Sequence, residues 1–181
     1  AIPCGAVVDR IGTRRAIFIG ALIMTLSVGL RGLAPDYTTL FLAVALFGFG
    51  GPLLSVGAPK HIAYWFAGQE RGLAMGIYMT GPFLGGISAL ALTNSLFMPL
   101  MEGSWRSVLF AYAGVILLCG TIWLVVNSHP VARAAEIMAA KQPRRPQLET
   151  FLHLIRLRPI QIVLMISLGI FFFNHSINGW L

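Results

Sequence analysis

Apolar runs alternate with polar turns along this chain, and the alternation sets the expected elements. Residues 16–34, 39–59, 72–98 and 107–126 each offer roughly 20 mainly apolar positions, the length that a spanning helix needs. Residues 1–8 read as the tail of an earlier span, and residues 159–181 as a last, truncated one. The expected fold class is all-α: a polytopic bundle of membrane helices.

The connections differ in kind. Pro35-Asp36 is a short turn. Lys60-His61 opens a polar connection that runs through Tyr64-Trp65-Phe66 to Glu70-Arg71, with its aromatics at interfacial depth. Residues 101–106 form another short link. Residues 127–158 are the only long polar segment, and a connection of that length marks a linker or a functional loop. Within it, 131–141 suits a short amphipathic helix, broken by Pro143-Arg144-Arg145-Pro146. Leu148, Phe151, Leu152 and Ile155 recur at helical spacing, which suits a helix lying in the interface. Three domains follow: 1–126, 127–158 and 159–181.

Composition agrees with lipid as the solvent. Hydrophobic residues make up 57% of the chain and charged residues 10%, with mean hydropathy +0.80, whereas a soluble domain is about a quarter charged. The net charge of +7 would suit nucleic acid, but the charges sit in turns between apolar runs. Arg10, Arg14, Arg15, Lys60, Arg71, Arg133, Lys141, Arg144, Arg145, Arg156 and Arg158 fall on one side of the alternation. Only Arg31 and Arg106 fall on the other. This is the pattern of the positive-inside rule, and it places the basic side in the cytoplasm.

The most specific stretch is 5–15, Gly-Ala-Val-Val-Asp-Arg-Ile-Gly-Thr-Arg-Arg, read as a short basic loop between two spans. Gly5 would allow close packing of a helix end, and Gly12 a reversal with positive φ. Asp9 is one acid among cations. The stretch resembles motif A of the major facilitator superfamily, Gly-x-x-x-Asp-Arg/Lys-x-Gly followed by basic residues. Gly5, Asp9, Arg10 and Gly12 match. Thr13 stands where the basic run usually begins, and Arg14 and Arg15 follow one step later. Gly81-Pro82-x-x-Gly85-Gly86 resembles the end of the family's motif C, found in its fifth helix and associated with antiporters, although Ile77 stands where an earlier glycine is usual. Gly103-Ser104-Trp105-Arg106 resembles the turn before its sixth helix.

The resemblance implies a secondary transporter working by alternating access, here a fragment with the third to seventh helices, the tail of the second and the central loop. The chain lacks a Met start and ends inside an apolar run, as a piece of a longer protein would. Asp9 would be a conformational latch, with Arg10, Arg14 and Arg15 in support and its partner in the missing half. Gly81, Pro82, Gly85 and Gly86 would serve helix packing, Gly81 and Gly85 as a small-xxx-small face. The seventh helix lines the substrate cavity in the family. Ser167, Phe171, Asn174 and Asn178 share one helical face there, so Asn174, Asn178 and Ser167 are candidate substrate contacts, with His175 beside them. Against this stands a purely structural use of the asparagines and His175 as helix caps or interhelical bonds. On the second full span, Gly48, Pro52, Ser55 and Pro59 share a face, and Ser55 is the candidate cavity residue. The run from Asn174 to Leu181 looks like cyanate-permease-like members, which implies a small or organic anion as substrate.

No Asp or Glu lies inside a span. Cys4 and Cys119 are isolated, and no catalytic, metal or phosphate-loop pattern occurs. The expectation is no enzyme, no cofactor and no metal. The expected partners are a small-molecule solute and the lipid bilayer, in the plasma (inner) membrane, with room for a coupling proton or ion and none for nucleic acid. The competing class is a membrane sensor or assembly factor that reuses the scaffold without transport.

Overall fold

In the computed structural model, residues 2–130 and 155–180 are described, with side chains for 4–130 and 155–173. The expected helix at 131–141 lies outside these residues, as does most of the one at 148–157. The chain forms two compact units, Ala1–Lys141 and Gln142–Leu181.

In the first unit, α1 (Ile2–Ile11) and α2 (Thr13–Leu33) meet at Gly12. The expected loop at 5–15 is thus helical except for one residue. Gly12 has φ 85°, a conformation that a Cβ makes costly. The hydrogen-bond ladder nevertheless runs through the kink: Gly12 N–H donates to the Val8 carbonyl at 3.0 Å, and the Gly12 carbonyl accepts from Ala16 N–H at 3.0 Å.

Beyond α2, Asp36 caps α3 (Tyr37–Trp65). Its carboxylate accepts from Thr39 N–H at 2.8 Å and from the Thr39 hydroxyl at 2.6 Å, satisfying a donor that the first helical turn leaves open. The polar connection expected at Lys60-His61 is helix instead. α3 contains both Pro52 and Pro59 and runs on to Trp65, leaving only Phe66-Ala67 as the link. It continues because Lys60 and His61 find partners on neighbouring helices.

α4 (Gly68–Leu92) passes without a break into a π-helical turn, Thr93–Phe97, and the short α5, Met98–Leu100. At that turn the Thr93 and Tyr112 hydroxyls are 2.5 Å apart, and the Phe97 and Tyr112 rings pack at 5.3 Å. Glu102 and Gly103 then take positive φ, and Ser104 caps α6 (Trp105–Val126). In the second unit, α7 covers Arg158–Trp180, with Pro159 in its first turn, where a missing N–H costs nothing.

α2 is the hub of the first unit, held between α3 and α6. Gly20 of α2 faces Gly50 of α3, Gly57 of α3 lies against Ile17, and Gly120 of α6 lies against Ala21. Buried Ser27 donates to the Ala43 carbonyl of α3 at 2.6 Å. The interior mixes small and polar residues, among them Ala16, Ala21, Ala43, Thr13 and Ser27, with a few larger aliphatics such as Val8, Ile17 and Leu53, while Phe49, Leu73 and Leu90 point outward. Helices in lipid associate in this way, because burying Leu against Leu gains nothing over leaving it in acyl chains. Four helices, Thr13–Leu33, Tyr37–Trp65, Gly68–Leu100 and Trp105–Val126, are long and apolar enough to cross a membrane.

Candidate functional site at the arginine-rich end

One group of polar side chains of the first unit gathers where α1 ends, α2 begins, and α3 and α6 finish. Asp9 in the last turns of α1 pairs with Lys60 of α3. Both are about 30% exposed, at 28% and 31%, so the pair is screened only in part. α3 extends past Pro59 and brings Lys60 to Asp9 within this half; the expected latch partner in the other half lies outside this chain.

Thr13 has no exposed surface. Its hydroxyl lies 3.2 Å from His61 Nδ1. The departure from motif A therefore occupies a buried position where a long cation would not fit. Arg14 Nη1 donates to Ser128 Oγ at 2.9 Å, and Trp123 Nε1 donates to the Arg14 carbonyl at 3.3 Å. Arg14 thus joins α2 to the end of α6, while Arg10 and Arg15 remain exposed. At the opposite end Arg106 Nη2 donates to the Ala34 carbonyl at 3.3 Å, and Arg31 lies over the Phe47 ring at 5.4 Å. The two basic residues outside the main group are thus at the other end of the same bundle.

The remaining candidates are not gathered here. Gly5, Gly81, Gly85 and Gly86 have no described atom within contact distance of where a Cβ would stand, and α4, with Pro82, has no buried residue. Gly48 and Ser55 lie on exposed positions of α3, away from the Gly50 and Gly57 face that meets α2. Ser55 Oγ donates to the Pro52 carbonyl at 3.3 Å. Ser167 is exposed on α7. The side chains of Asn174, His175 and Asn178 lie outside those described. No group of three or more His, Cys, Asp or Glu among the described residues could hold a metal. Sequence reasoning missed Lys60, His61, Thr13 and Trp123 as one constellation. The available signal was the His61, Trp65 spacing of one helical turn, set beside a cation at the end of an apolar run.

The sequence profile of the Major Facilitator Superfamily matches residues 1–181. The probable galactarate/D-glucarate transporter of Escherichia coli is 29% identical over 151 residues, covering 75% of this chain and 32% of that protein. The hexuronate transporter of Bacillus subtilis is 28% identical over 147 residues, covering 78% and 33%. The puromycin resistance protein of Streptomyces alboniger is 39% identical over 116 residues, covering 63% and 22%. The chain thus spans a third or less of the length of these relatives. No solved structure matches it. With a family match along its whole length and four helices able to cross a bilayer, the chain is part of an integral multi-pass membrane protein and belongs to the major facilitator superfamily.

Proposed function

We propose that the protein is a secondary transporter that moves a small organic anion, of sugar-acid type, across the plasma (inner) membrane by alternating access. The observation that carries the reading is the similarity along most of the chain to transporters named for galactarate, glucarate and hexuronate. The likeness of 174–181 to cyanate-permease-like members points to the same charge class. In this reading 1–126 belongs to the first half, 127–158 is the cytoplasmic central loop, and 159–181 opens the second half. The Asp9 and Lys60 end faces the cytoplasm, as the positive-inside rule requires.

Asn174 and Asn178 donate hydrogen bonds to the substrate from α7, with Ser167 and His175 on the same helix, and Ser55 of α3 is a further substrate contact. Asp9 is the latch of the cytoplasmic side, supported by Arg10, Arg14 and Arg15, and Lys60 holds its carboxylate in place. In the latch the Asp9 carboxylate meets the N-terminus of a helix from the other half, where a carboxylate contributes typically ~0.3–1 kcal/mol, and up to ~2 when partly buried. That is enough to bias two states of similar energy. Where transport is coupled to a proton, the carboxylate that carries it lies outside this chain, because the described acids stand at helix ends, Glu70 in the first turn of α4 and Asp9 near the end of α1.

The test is substrate counterflow with radiolabelled glucarate and glucuronate in proteoliposomes holding the full-length protein. Uptake that exceeds empty vesicles, and weaker apparent affinity in Asn174→Ala and Asn178→Ala, support the reading. No uptake of either acid overturns the substrate class. Unchanged affinity in both variants overturns the site.

A further inference from the structure

Arg31 of α2 carries its charge into the bundle rather than out of it. Gly20 faces Gly50, and Ser27 bonds to Ala43, across the contact between α2 and α3. The two helices therefore run antiparallel, and Arg31 stands level with about Thr39. Its guanidinium nevertheless lies over the Phe47 ring, 5.4 Å from the centroid. Phe47 is two turns further along α3, roughly 11 Å of helical rise. Side chains tilt toward the N-terminus of their own helix, so Arg31 reaches inward, Phe47 reaches outward, and they meet between. A cation snorkelling to the headgroups would point the other way.

The guanidinium is short of acceptors. Arg31 Nε is buried without a hydrogen-bond partner, and among the described residues the Phe47 ring is the one contact of the charge. The neighbouring charges at this end are engaged. Arg106 donates to the Ala34 carbonyl and lies over the Trp105 ring at 4.5 Å, and the Asp36 carboxylate is held by Thr39. A charge drawn into a spanning bundle is costly and marks a solute or ion path. A planar guanidinium matches a carboxylate with two parallel hydrogen bonds. Phe47, Gly51 and Ser55 recur every four residues on α3 and form one stripe, along which Phe47 and Ser55 are exposed. Arg31 thus stands at the outer end of the stripe that carries Ser55.

We propose that Arg31 is a solute-binding residue: its guanidinium, steadied by the Phe47 ring, pairs with a carboxylate of the transported organic acid in the outer half of the bundle. The proposal rests on the reading of the solute as an organic acid, and it names the cation that recognises the solute's charge.

The experiment measures equilibrium binding to the purified full-length protein in detergent. The probes are radiolabelled glucuronate, which has one carboxylate, and its uncharged methyl ester. Arg31→Gln should weaken glucuronate binding roughly 10- to 100-fold, the size that hydrogen bonds to a charged group carry. The ester should bind wild type about as weakly as it binds this variant. Arg31→Lys should fall between, because an ammonium makes a point contact instead of a fork. Glucuronate affinity unchanged in Arg31→Gln overturns the proposal and leaves the transport reading standing. Unchanged affinity with a lowered melting temperature assigns Arg31 to an acid elsewhere in the protein, and so overturns it too. Equal weakening of glucuronate and ester, the mark of a general fault in the fold, does the same. If Arg31→Gln does not fold, Arg31→Lys decides on the same two probes, and glucuronate affinity equal to wild type overturns the proposal. No binding of glucuronate or glucarate to wild type overturns this proposal and the sugar-acid reading together.

Discussion

Gly20 of α2 and Gly50 of α3 meet backbone to backbone: a Cβ on Gly50 would stand 2.9 Å from the Gly20 carbonyl oxygen, and one on Gly20 would stand 3.0 Å from the Gly50 carbonyl oxygen. Both obstacles are main-chain atoms, which cannot rotate aside. Gly50→Ala must therefore push α3 away from α2, and overpacking of this kind costs typically about 1–3 kcal/mol. The expected outcome is a lower melting temperature of the full-length protein in detergent. Gly50→Leu should be worse than Gly50→Ala. Melting temperatures equal to wild type in both would contradict the close approach.

The Ser27 hydroxyl reaches across the same contact to the Ala43 carbonyl. Interhelical bonds of this sort contribute about 0.6 kcal/mol on average and at most about 1.7 in membrane proteins. Ser27→Ala should fall in that range by equilibrium unfolding. Its loss leaves no stranded donor, so a larger cost would mean that the hydroxyl has a second role.

For Asp9 and Lys60 the direction of charge is testable. Asp9→Lys and Lys60→Asp should each weaken the fold and disturb the balance between open states, and the double swap should recover part of both. A pair this exposed couples by roughly 0.2–1 kcal/mol. A double-mutant cycle on thermal stability measures the coupling, and zero coupling would remove Lys60 as the Asp9 partner.

Asp36 gives a pH dependence with a defined sign. The Thr39 hydroxyl first, and the Thr39 backbone N–H second, hold its carboxyl below the ordinary value of 3.8, against a small opposing effect of desolvation. A carboxyl lowered on folding stabilises the fold above the ordinary value and loses that contribution as pH falls through the lowered one. Asp36→Asn keeps an acceptor but cannot titrate. The wild type should melt above this variant at about pH 5, and the gap should narrow as the pH drops toward 3. A gap independent of pH would show that the cap carries no charge effect.

The spans and their alternation were legible because hydropathy averages over twenty residues and ignores detail. The turn at Gly12 was legible because only glycine takes that φ without strain. The length of α3 was not: Lys60, His61, Tyr64 and Trp65 read as a connection when their partners on α1 and α2 are unknown. Nor was the central place of α2. Lipid-facing and helix-facing positions are equally apolar, so the pattern carries no inward face, and only small residues such as Gly20, Gly50 and Gly57 mark the contact. Asp9, the proposed latch, stands out through its motif, whereas Thr13 is the motif's departure and His61 belongs to none, and their contact emerges only when the helices are seen together. The α7 candidates rest on helical spacing and on the family resemblance.

The central claim is that these helices cross a bilayer with the Asp9 and Lys60 end inside. Thiol labelling of the full-length protein in intact cells tests it most directly. All native cysteines, including Cys4 and Cys119, are replaced, and a single cysteine is placed at Tyr37→Cys or Gln69→Cys, beyond or at opposite ends of α3. The account predicts that a membrane-impermeant maleimide labels position 37 in intact cells and position 69 only after the membrane is opened. Labelling of both from outside, or of position 69 alone, would contradict it.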